Sequence, residues 1–362
     1  MIGKNNTEIA ITGIGMITPV GRTALQTCAS IRADISRSAD IEYFQYENDW
    51  FETIPLKGSL ISGVTDGYLG LGRFTKMASM AIEDLLLNSK LPEADLSMAG
   101  FYSGLPSPER KGVDTRAEDY LCKRVEQWLN ISFGNIRKTY PEGHAATAKA
   151  VKEAIADLTT DKIRYAIVGG VDSLVEPDTL NHLMKTERLI TEENPDGFFP
   201  GEAAAYFLLE TIENAEKRSA EILAVIEAPS FEIEPETIDS DSPSTCKGLR
   251  HAIRGTFDQL DDNGTNTGLI ICDLNGETYR SKEFGTIIPG VFNHITSPWI
   301  VDHPAENTGD TGAASFALSV CAGARAIQRG YAKTENILIW GASDEGLRGS
   351  VYIRKYTTPE EL

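Results

Sequence analysis

His144 is the clearest candidate for chemistry in this sequence, because it directly follows a glycine at a predicted helix start. The segment KTYPEGHAATAKAV places it after Gly143, and Ala148 and Val151 behind it recur at helical spacing. An imidazole can serve as a general base or as a hydrogen-bonded core group. The positive end of the helix dipole would lower the pKa of His144, whereas a nearby Asp310 would raise it, so the sequence leaves the net direction open. Its position alone leaves both a catalytic and a packing role open.

The five cysteines are odd in number, scattered and never in a C-x-x-C pair, so neither a disulfide framework nor a zinc site is expected. Cys246 precedes His251 in STCKGLRHAI, but residues five apart do not share one helix face, so we predict a solvent-side thiol there. Cys272 and Cys321 lie in apolar segments and are predicted core thiols. The sequence predicts no metal ligand.

Composition narrows the classes of partner. The chain has 362 residues, 41% hydrophobic content and a formal charge of -19, with no Lys/Arg-rich run, so we expect neither nucleic acid nor an anionic membrane to bind. No segment approaches the roughly 18 to 20 apolar residues that span a bilayer. We therefore predict a cytoplasmic protein. The opening GIGMITPVG is not a G-x-G-x-x-G motif, and no cofactor is predicted.

Strand and helix patterns alternate along the chain, which is typical of α/β layers. The segment EIAITGIGMITPVG predicts a strand that enters a glycine-rich turn, and RYAIVGGVDSL predicts a central, buried strand. The segment TGLIICDLNGETYRSKE repeats this strand-to-turn design in the second half. No linker separates the repeats, so we predict two interlocked halves, residues 1–215 and 216–362.

The order of these motifs resembles the β-ketoacyl synthase branch of the thiolase superfamily. The match covers roughly residues 8–355 and implies a five-layered α-β-α-β-α pseudo-dimer, in which each half is a mixed five-stranded sheet. Such proteins are usually homodimers. Five segments carry the resemblance: IAITGIGMITPVG, YAIVGGVDSLVEPDTL, DGFFPGEAAAYFLLE, AEKRSAEILAVI and NILIWGASDEG.

The resemblance also implies where a catalytic centre would lie. The family uses a helix-terminal cysteine as acyl acceptor and two histidines for decarboxylative condensation. Counting back 25 residues from Gly169, the family's interval, reaches His144 instead of cysteine. The family's histidine positions hold Asn275 in LNGETY and Asp310 in NTGDTG. All three catalytic side chains have changed.

Three further residues are predicted to line the substrate pocket by the same resemblance. Glu277 replaces a threonine of the family's H-G-T loop, Thr147 lies on the nucleophile helix, and Trp340 falls near a gating phenylalanine. Trp340 could plug the acyl tunnel or simply pack in the core.

Two functions follow from the altered centre. The favoured one is a ketosynthase-like protein that no longer condenses acyl chains and acts as a chaperone-like or scaffold subunit, in a homodimer or in a heterodimer with a related synthase or client protein. Here His144, Asn275 and Asp310 form a hydrogen-bonded polar cluster. The alternative is an acyltransferase or thioester hydrolase in which His144 and Asp310 act as a general-base dyad and Asn275 as an oxyanion donor.

A third reading is a module that binds acyl-thioesters or an acyl-carrier protein without turnover. Carrier proteins are acidic, so docking needs a local basic patch on this acidic chain. The candidate clusters are Arg110 with Lys111, and Lys123 with Arg124.

Overall fold

The computed structural model describes residues 7–261, 266–291 and 294–358, without the side chains of residues 296–298. The strands are β1 Ile9–Ile17, β2 Ala39–Glu47, β3 Thr53–Gly58, β4 Ala99–Gly104, β5 Arg137–Tyr140, β6 Tyr165–Ser173, β7 Glu202–Thr211, β8 Ala224–Ile233, β9 Thr267–Ile271, β10 Ile295–Asp302, β11 Asn336–Ala342 and β12 Leu347–Arg354. The helices are α1 Ala24–Arg32, α2 Gly70–Ser89, α3 Ala117–Leu129, α4 Ala146–Thr159, α5 Pro177–Lys185, α6 Ile212–Lys217, α7 Lys247–Phe257, α8 Thr278–Val291, α9 Ala305–Thr308 and α10 Ser315–Gln328.

Ten of the strands form one sheet in two matching halves. The order is β5-β4-β6-β7-β1 in one half and β10-β9-β11-β12-β8 in the other. In the first half β1 pairs antiparallel with β7, β7 pairs antiparallel with β6, and β6, β4 and β5 are parallel. In the second half β8 pairs antiparallel with β12, β12 pairs antiparallel with β11, and β11, β9 and β10 are parallel. The halves join where β1 and β8 pair antiparallel over Ile9–Ile11. The second half therefore repeats the topology of the first.

Helices cover both faces of each half and give the five-layered α-β-α-β-α thiolase-like arrangement that the sequence predicts. Helices α2 and α3 pack together outside the first half, and α7 and α8 pack outside the second. Helices α4 and α10 lie in the middle layer, where each contacts strands of both halves. The hairpin β2-β3 stands apart as a separate two-stranded sheet.

The central helices are rich in small residues because both of their sides are covered. Helix α4 buries Ala146, Ala148, Ala150 and Ala154, all at 0% exposure. Helix α10 is apolar almost all round, which is typical of a helix enclosed by protein. Alanine at these positions allows the two sheet halves to approach the middle layer closely. The start of each central helix is thereby held deep inside the molecule.

No helix among the described residues is both long enough and apolar enough to cross a membrane.

Candidate functional site

The start of α4 fixes the position of His144. The 3-10 turn Gly143–Ala145 leads into the helix, and Gly143 has a φ of 74°, a backbone conformation that favours glycine. The backbone N–H of Ala145 donates to Oγ of Ser343 at 2.9 Å. That hydroxyl donates in turn to the carbonyl of Glu142. The turn that carries His144 is therefore anchored to the connection between β11 and β12.

Asp310 lies close to the start of α10, two residues before the turn that leads into it. A 3-10 turn, Gly312–Ala314, leads into α10, and the N–H of Gly312 donates to Oδ1 of Asp310 at 2.8 Å. The same carboxylate oxygen lies 2.8 Å from Nε2 of His144. Both side chains are buried, at 5% and 4% exposure. The starts of the two central helices are thus joined by one short imidazole–carboxylate contact.

Asn275 bridges this pair to a second carboxylate. Its Nδ2 donates to Oδ2 of Asp310 at 2.7 Å and to Oε2 of Glu277 at 3.0 Å. Its Oδ1 accepts the backbone N–H of Glu277 at 3.1 Å. The structure brings together His144, Asn275 and Asp310, the three residues predicted as a catalytic set, and Glu277 extends the same network.

Two arginines that the sequence reasoning missed complete the cluster. Arg188 follows α5 and binds both carboxylate oxygens of Glu277, at 2.7 and 2.9 Å. Its guanidinium also donates to Asp344 at 2.8 Å. This bidentate geometry is the strong form of an arginine–carboxylate pair.

Arg280, on α8, lies directly beside His144. Its Nη1 donates to Asp273 at 2.6 Å and to the carbonyl of Ala342 at 2.6 Å, and its Nη2 donates to Asp344 at 3.0 Å. The Nη2 atom is also 3.5 Å from Nε2 of His144. The imidazole therefore faces a guanidinium as well as a carboxylate. We call the seven charged or imidazole side chains the ionic cluster: His144, Arg188, Asp273, Glu277, Arg280, Asp310 and Asp344.

The charges of the ionic cluster set the protonation of its members. Burial lowers the pKa of His144, but the Asp310 carboxylate, aided by Asp344, more than offsets burial and the Arg280 guanidinium, so the pKa is raised. Of the two opposing effects that the sequence leaves open, the contacting carboxylate outweighs the partial charge of the helix dipole. Burial raises the pKa of Asp310, yet His144 and Arg280 hold it below its ordinary value. The pair is stabilised as imidazolium and carboxylate.

Little free space remains beside these side chains. A cavity of about 20 Å³ is bordered by His144, Asn275, Asp310 and Ser315, among others. A volume of about 10 to 15 Å³ accommodates one water molecule. The hydroxyl of Ser315 is buried and has no hydrogen-bond partner among the described residues. The cavity therefore fits a single water that would satisfy Ser315, and it does not fit an acyl chain.

Two predicted pocket residues lie elsewhere. Trp340 faces the outer layer of the second half, where its ring centroid is 5.9 Å from that of Phe284, and it does not border the cavity. Alternate residues of a strand point to opposite faces, and Ile339 takes the inner face of β11. Thr147 donates to the carbonyl of Gly169 at 3.3 Å, so its hydroxyl joins α4 to β6. Glu277 does not border the cavity either, and the core packing of Trp340 is one of the two positions that the sequence leaves open for it.

The cysteines are remote from the site or buried against it. All five are buried, including Cys246, so the expected solvent-side position of that thiol is wrong. Cys246 lies at the N-terminal end of α7 and packs with Leu249 and Ile253 in the outer core. Burial raises the pKa of Cys28 and of Cys122 to about 12. Cys272 borders the cavity, and burial raises its pKa as well.

The two predicted basic clusters differ in the structure. Arg110 binds both carboxylate oxygens of Asp172, at 2.7 and 2.5 Å, and its side chain is 12% exposed. Arg110 therefore forms an ion pair with Asp172 in the core and is not available as a docking residue. Lys123 and Arg124 are exposed on α3.

A signal for the missed arginines exists in the sequence. Buried carboxylates require cationic or hydrogen-bonding partners, so Glu277 and Asp310 in apolar surroundings demand nearby Arg or Lys. Arg280 lies one helical turn after Glu277, at a spacing that lets the two interact. Arg188 carries no such local signal, since only the folded chain brings it to Glu277.

Comparison with known proteins identifies the class of fold. No family model matches the chain, and no curated protein sequence matches it. Solved structures do match. The ketosynthase from module 6 of the bacillaene synthase of Bacillus subtilis 168 superposes with a TM-score of 0.80 and 15% identity, over 97% of this chain and 72% of that one.

Two further structures match over the same share of this chain. The ishigamide ketosynthase/chain length factor gives a TM-score of 0.77 at 18% identity and is covered completely. A type II PKS acyl-carrier protein in complex with its ketosynthase bound to the hexaketide gives 0.79 at 13% identity, with 100% of the matched chain covered. The chain therefore has the thiolase-like ketosynthase fold.

Proposed function

We propose that this chain is a ketosynthase-like protein that does not condense acyl groups and acts as a structural subunit of an assembly. The observation that carries the proposal is the buried contact at 2.8 Å between His144 and Asp310 within the ionic cluster. The sequence resemblance assigns these two residues to the positions of the family's nucleophilic cysteine and of one of its histidines. One of the similar folds is a ketosynthase/chain length factor, which shows that this fold occurs in such assemblies.

The chemistry of condensation has no support in this cluster. Decarboxylation of a malonyl group develops negative charge on an enolate oxygen, which neutral or cationic donors stabilise. Asp310 carries a negative charge at one of the two donor positions and opposes that charge. An acyl-imidazole on His144 would also be labile to water.

A second candidate function, thioester hydrolysis by a His144–Asp310 dyad, is favoured by their direct contact. Three features argue against it. The pKa of His144 is raised, chiefly by the Asp310 carboxylate, and this shift favours the imidazolium form, which cannot accept a proton. Its Nε2 is already engaged by Asp310. The adjacent cavity of about 20 Å³ admits one water but not a thioester.

We further propose that the protein is cytoplasmic and works as a homodimer or beside a related synthase or client protein. The ionic cluster supports a structural role, because it joins residues of both sheet halves. His144 and Arg188 come from the first half, and Asn275, Arg280 and Asp310 come from the second. Buried ion pairs specify a unique arrangement of the connected parts in some proteins, and we propose that role for the ionic cluster here.

The test is incubation of the purified protein with acyl-CoA and malonyl-CoA, followed by intact-mass analysis and measurement of free CoA. We expect no acyl adduct and no CoA release above that of buffer. The His144→Gln variant should behave identically, as should a Ser315→Ala control at the same cavity. CoA release by the wild type that is lost only in His144→Gln would establish the hydrolase instead.

A further inference from the structure

The tip of the β2-β3 hairpin presents two aromatic side chains to solvent. Trp50 is 80% exposed and Phe51 is 84% exposed. The Oδ1 atom of Asn48 accepts the backbone N–H of Trp50 at 3.0 Å and that of Glu52 at 2.9 Å, which closes the turn. Phe51 has a φ of 60°, a conformation that costs free energy for a residue with a side chain. Residues 48–52, the aromatic tip, therefore hold an exposed aromatic pair in a fixed geometry.

Carboxylates surround the aromatic tip. The Nδ2 atom of Asn48 donates to Glu192 at 3.1 Å, and the backbone N–H of Asp49 donates to Glu193 at 3.1 Å. Glu47 and Glu52 flank the turn and are exposed. Among the described residues, none of these acidic side chains forms an ion pair with Lys, Arg or His. The aromatic tip is thus an apolar anchor with an acidic rim.

A groove between α2 and α3 has the opposite character. Its volume is about 480 Å³, and Tyr68, Leu71, Arg116, Arg124 and Trp128 line it. Pockets of about 300 to 1,000 Å³ are typical of binding sites. Trp128 is 50% exposed, and no carboxylate lines the groove within the described part of the chain. We call this feature the cationic groove.

The cations of the groove differ in their partners. Arg116 pairs with Asp114 at 2.7 Å. Arg124 is exposed and has no carboxylate partner among residues 7–261, 266–291 and 294–358. The ammonium of Lys76 lies 4.2 Å from the ring centroid of Tyr68 and adds positive charge at the groove wall. On a chain with a net charge of -19, a groove lined by two arginines and no carboxylate among the described residues is a local exception.

We propose that the aromatic tip of one copy docks in the cationic groove of a second copy of this chain. The two surfaces complement each other in charge and in apolar character, and both are present on every copy. Buried Trp residues beside Arg are the contacts that dominate protein interfaces, and a guanidinium over an indole face adds cation–π attraction. The proposal goes beyond the structural role of the ionic cluster and does not depend on it.

Sedimentation of the purified protein over a range of concentrations tests this docking. We expect the wild type to self-associate, and the Trp50→Ala/Phe51→Gly variant to associate at least about tenfold more weakly. Glycine accepts the φ of Phe51, so this variant keeps its fold. Arg124→Glu should weaken association similarly. Leu87→Ala is the control, because Leu87 is 74% exposed but belongs to neither surface.

Mixing the two variants separates docking from general effects. The tip variant keeps an intact groove and Arg124→Glu keeps an intact tip, so the mixture should associate more strongly than either variant alone. A labelled peptide with residues 46–52 should bind the wild type and not Arg124→Glu. Equal association of all variants would overturn the proposal. So would a single protomer mass for the wild type at every concentration, even if the peptide binds, since the occupant would then be another protein.

Discussion

The imidazole of His144 and the carboxylate of Asp310 meet at 2.8 Å, at the starts of the two central helices. His144 lies within the 3-10 turn that leads into α4, and Asp310 lies two residues before the 3-10 turn that leads into α10. The same contact ties one half of the chain to the other, so the altered centre has a structural effect that can be measured.

Removal of the Asp310 carboxylate should destabilise the protein strongly. Asp310→Ala leaves the buried His144 without the carboxylate that it contacts at 2.8 Å, and breaking a buried pair in this way costs about 3 to 5 kcal/mol. Urea unfolding should show that loss. Asp258→Ala is a matched control, because its 66% exposed side chain pairs with Arg254 on the surface, and such pairs contribute about 0 to 1 kcal/mol. Equal effects of the two substitutions would contradict a structural role for the cluster.

The free energy of unfolding should fall both at low pH and at high pH. Asp310 and Asp344 have lowered pKa values in the folded state, so their contribution is present above about pH 3.8, the ordinary value, and is lost as the pH falls further. The raised pKa of His144 has the opposite sign. Its contribution is complete below about pH 6.5 and declines as the pH rises through the folded value.

The free energies of unfolding of wild type and His144→Gln, measured between pH 4 and pH 9, should therefore converge at the alkaline end. The convergence should occur above about pH 6.5, the pKa of an ordinary histidine. A difference that grows with rising pH would show that the imidazole is held neutral. The loss of stability at low pH should remain in His144→Gln, because Asp344 still pairs with Arg188 and Arg280.

The native thiols should be inert. Burial raises the pKa of Cys28, Cys122, Cys272 and Cys321, and the thiolate is the reactive form. A maleimide reagent at neutral pH should label none of the five cysteines in the folded protein and all five in denaturant. Rapid labelling of one thiol in the native state would identify a reactive cysteine that the structure does not support.

Restoring the thiol alone should not restore acyl transfer. In His144→Cys the nearby Asp310 carboxylate disfavours a thiolate, and Asn275 and Asp310 still occupy the donor positions. We expect no acyl adduct by intact mass after incubation with acyl-CoA. Rapid adduct formation would show that only the nucleophile was lost and that the pocket remains able to bind acyl groups.

Much of the fold could be predicted from the sequence, because local residue patterns indicate many of its strands and helices. The buried strand that contains Gly169, the alanine-rich central helix and the closing hairpin β11-β12 each follow from hydrophobic periodicity and glycine turns. The order of the motifs then indicated the five layers.

The site could be predicted only in part. Spacing indicated His144, Asn275 and Asp310, but not the charge balance that surrounds them. Arg188 reaches Glu277 across 89 residues, and such long-range pairs leave no periodic signal. The net direction of the pKa shift of His144 could not be predicted for the same reason, since it depends on Asp310, Asp344 and Arg280 together with burial.

The most direct test of the central claim is carbon dioxide release from malonyl-CoA labelled at its free carboxyl group, with purified wild type and His144→Ala. Decarboxylation is the step that a ketosynthase needs and that a negative charge at Asp310 opposes. We predict release at the rate of buffer for both proteins. Release by the wild type above that rate, abolished in His144→Ala, would show that the ionic cluster is a working active site and would contradict the account.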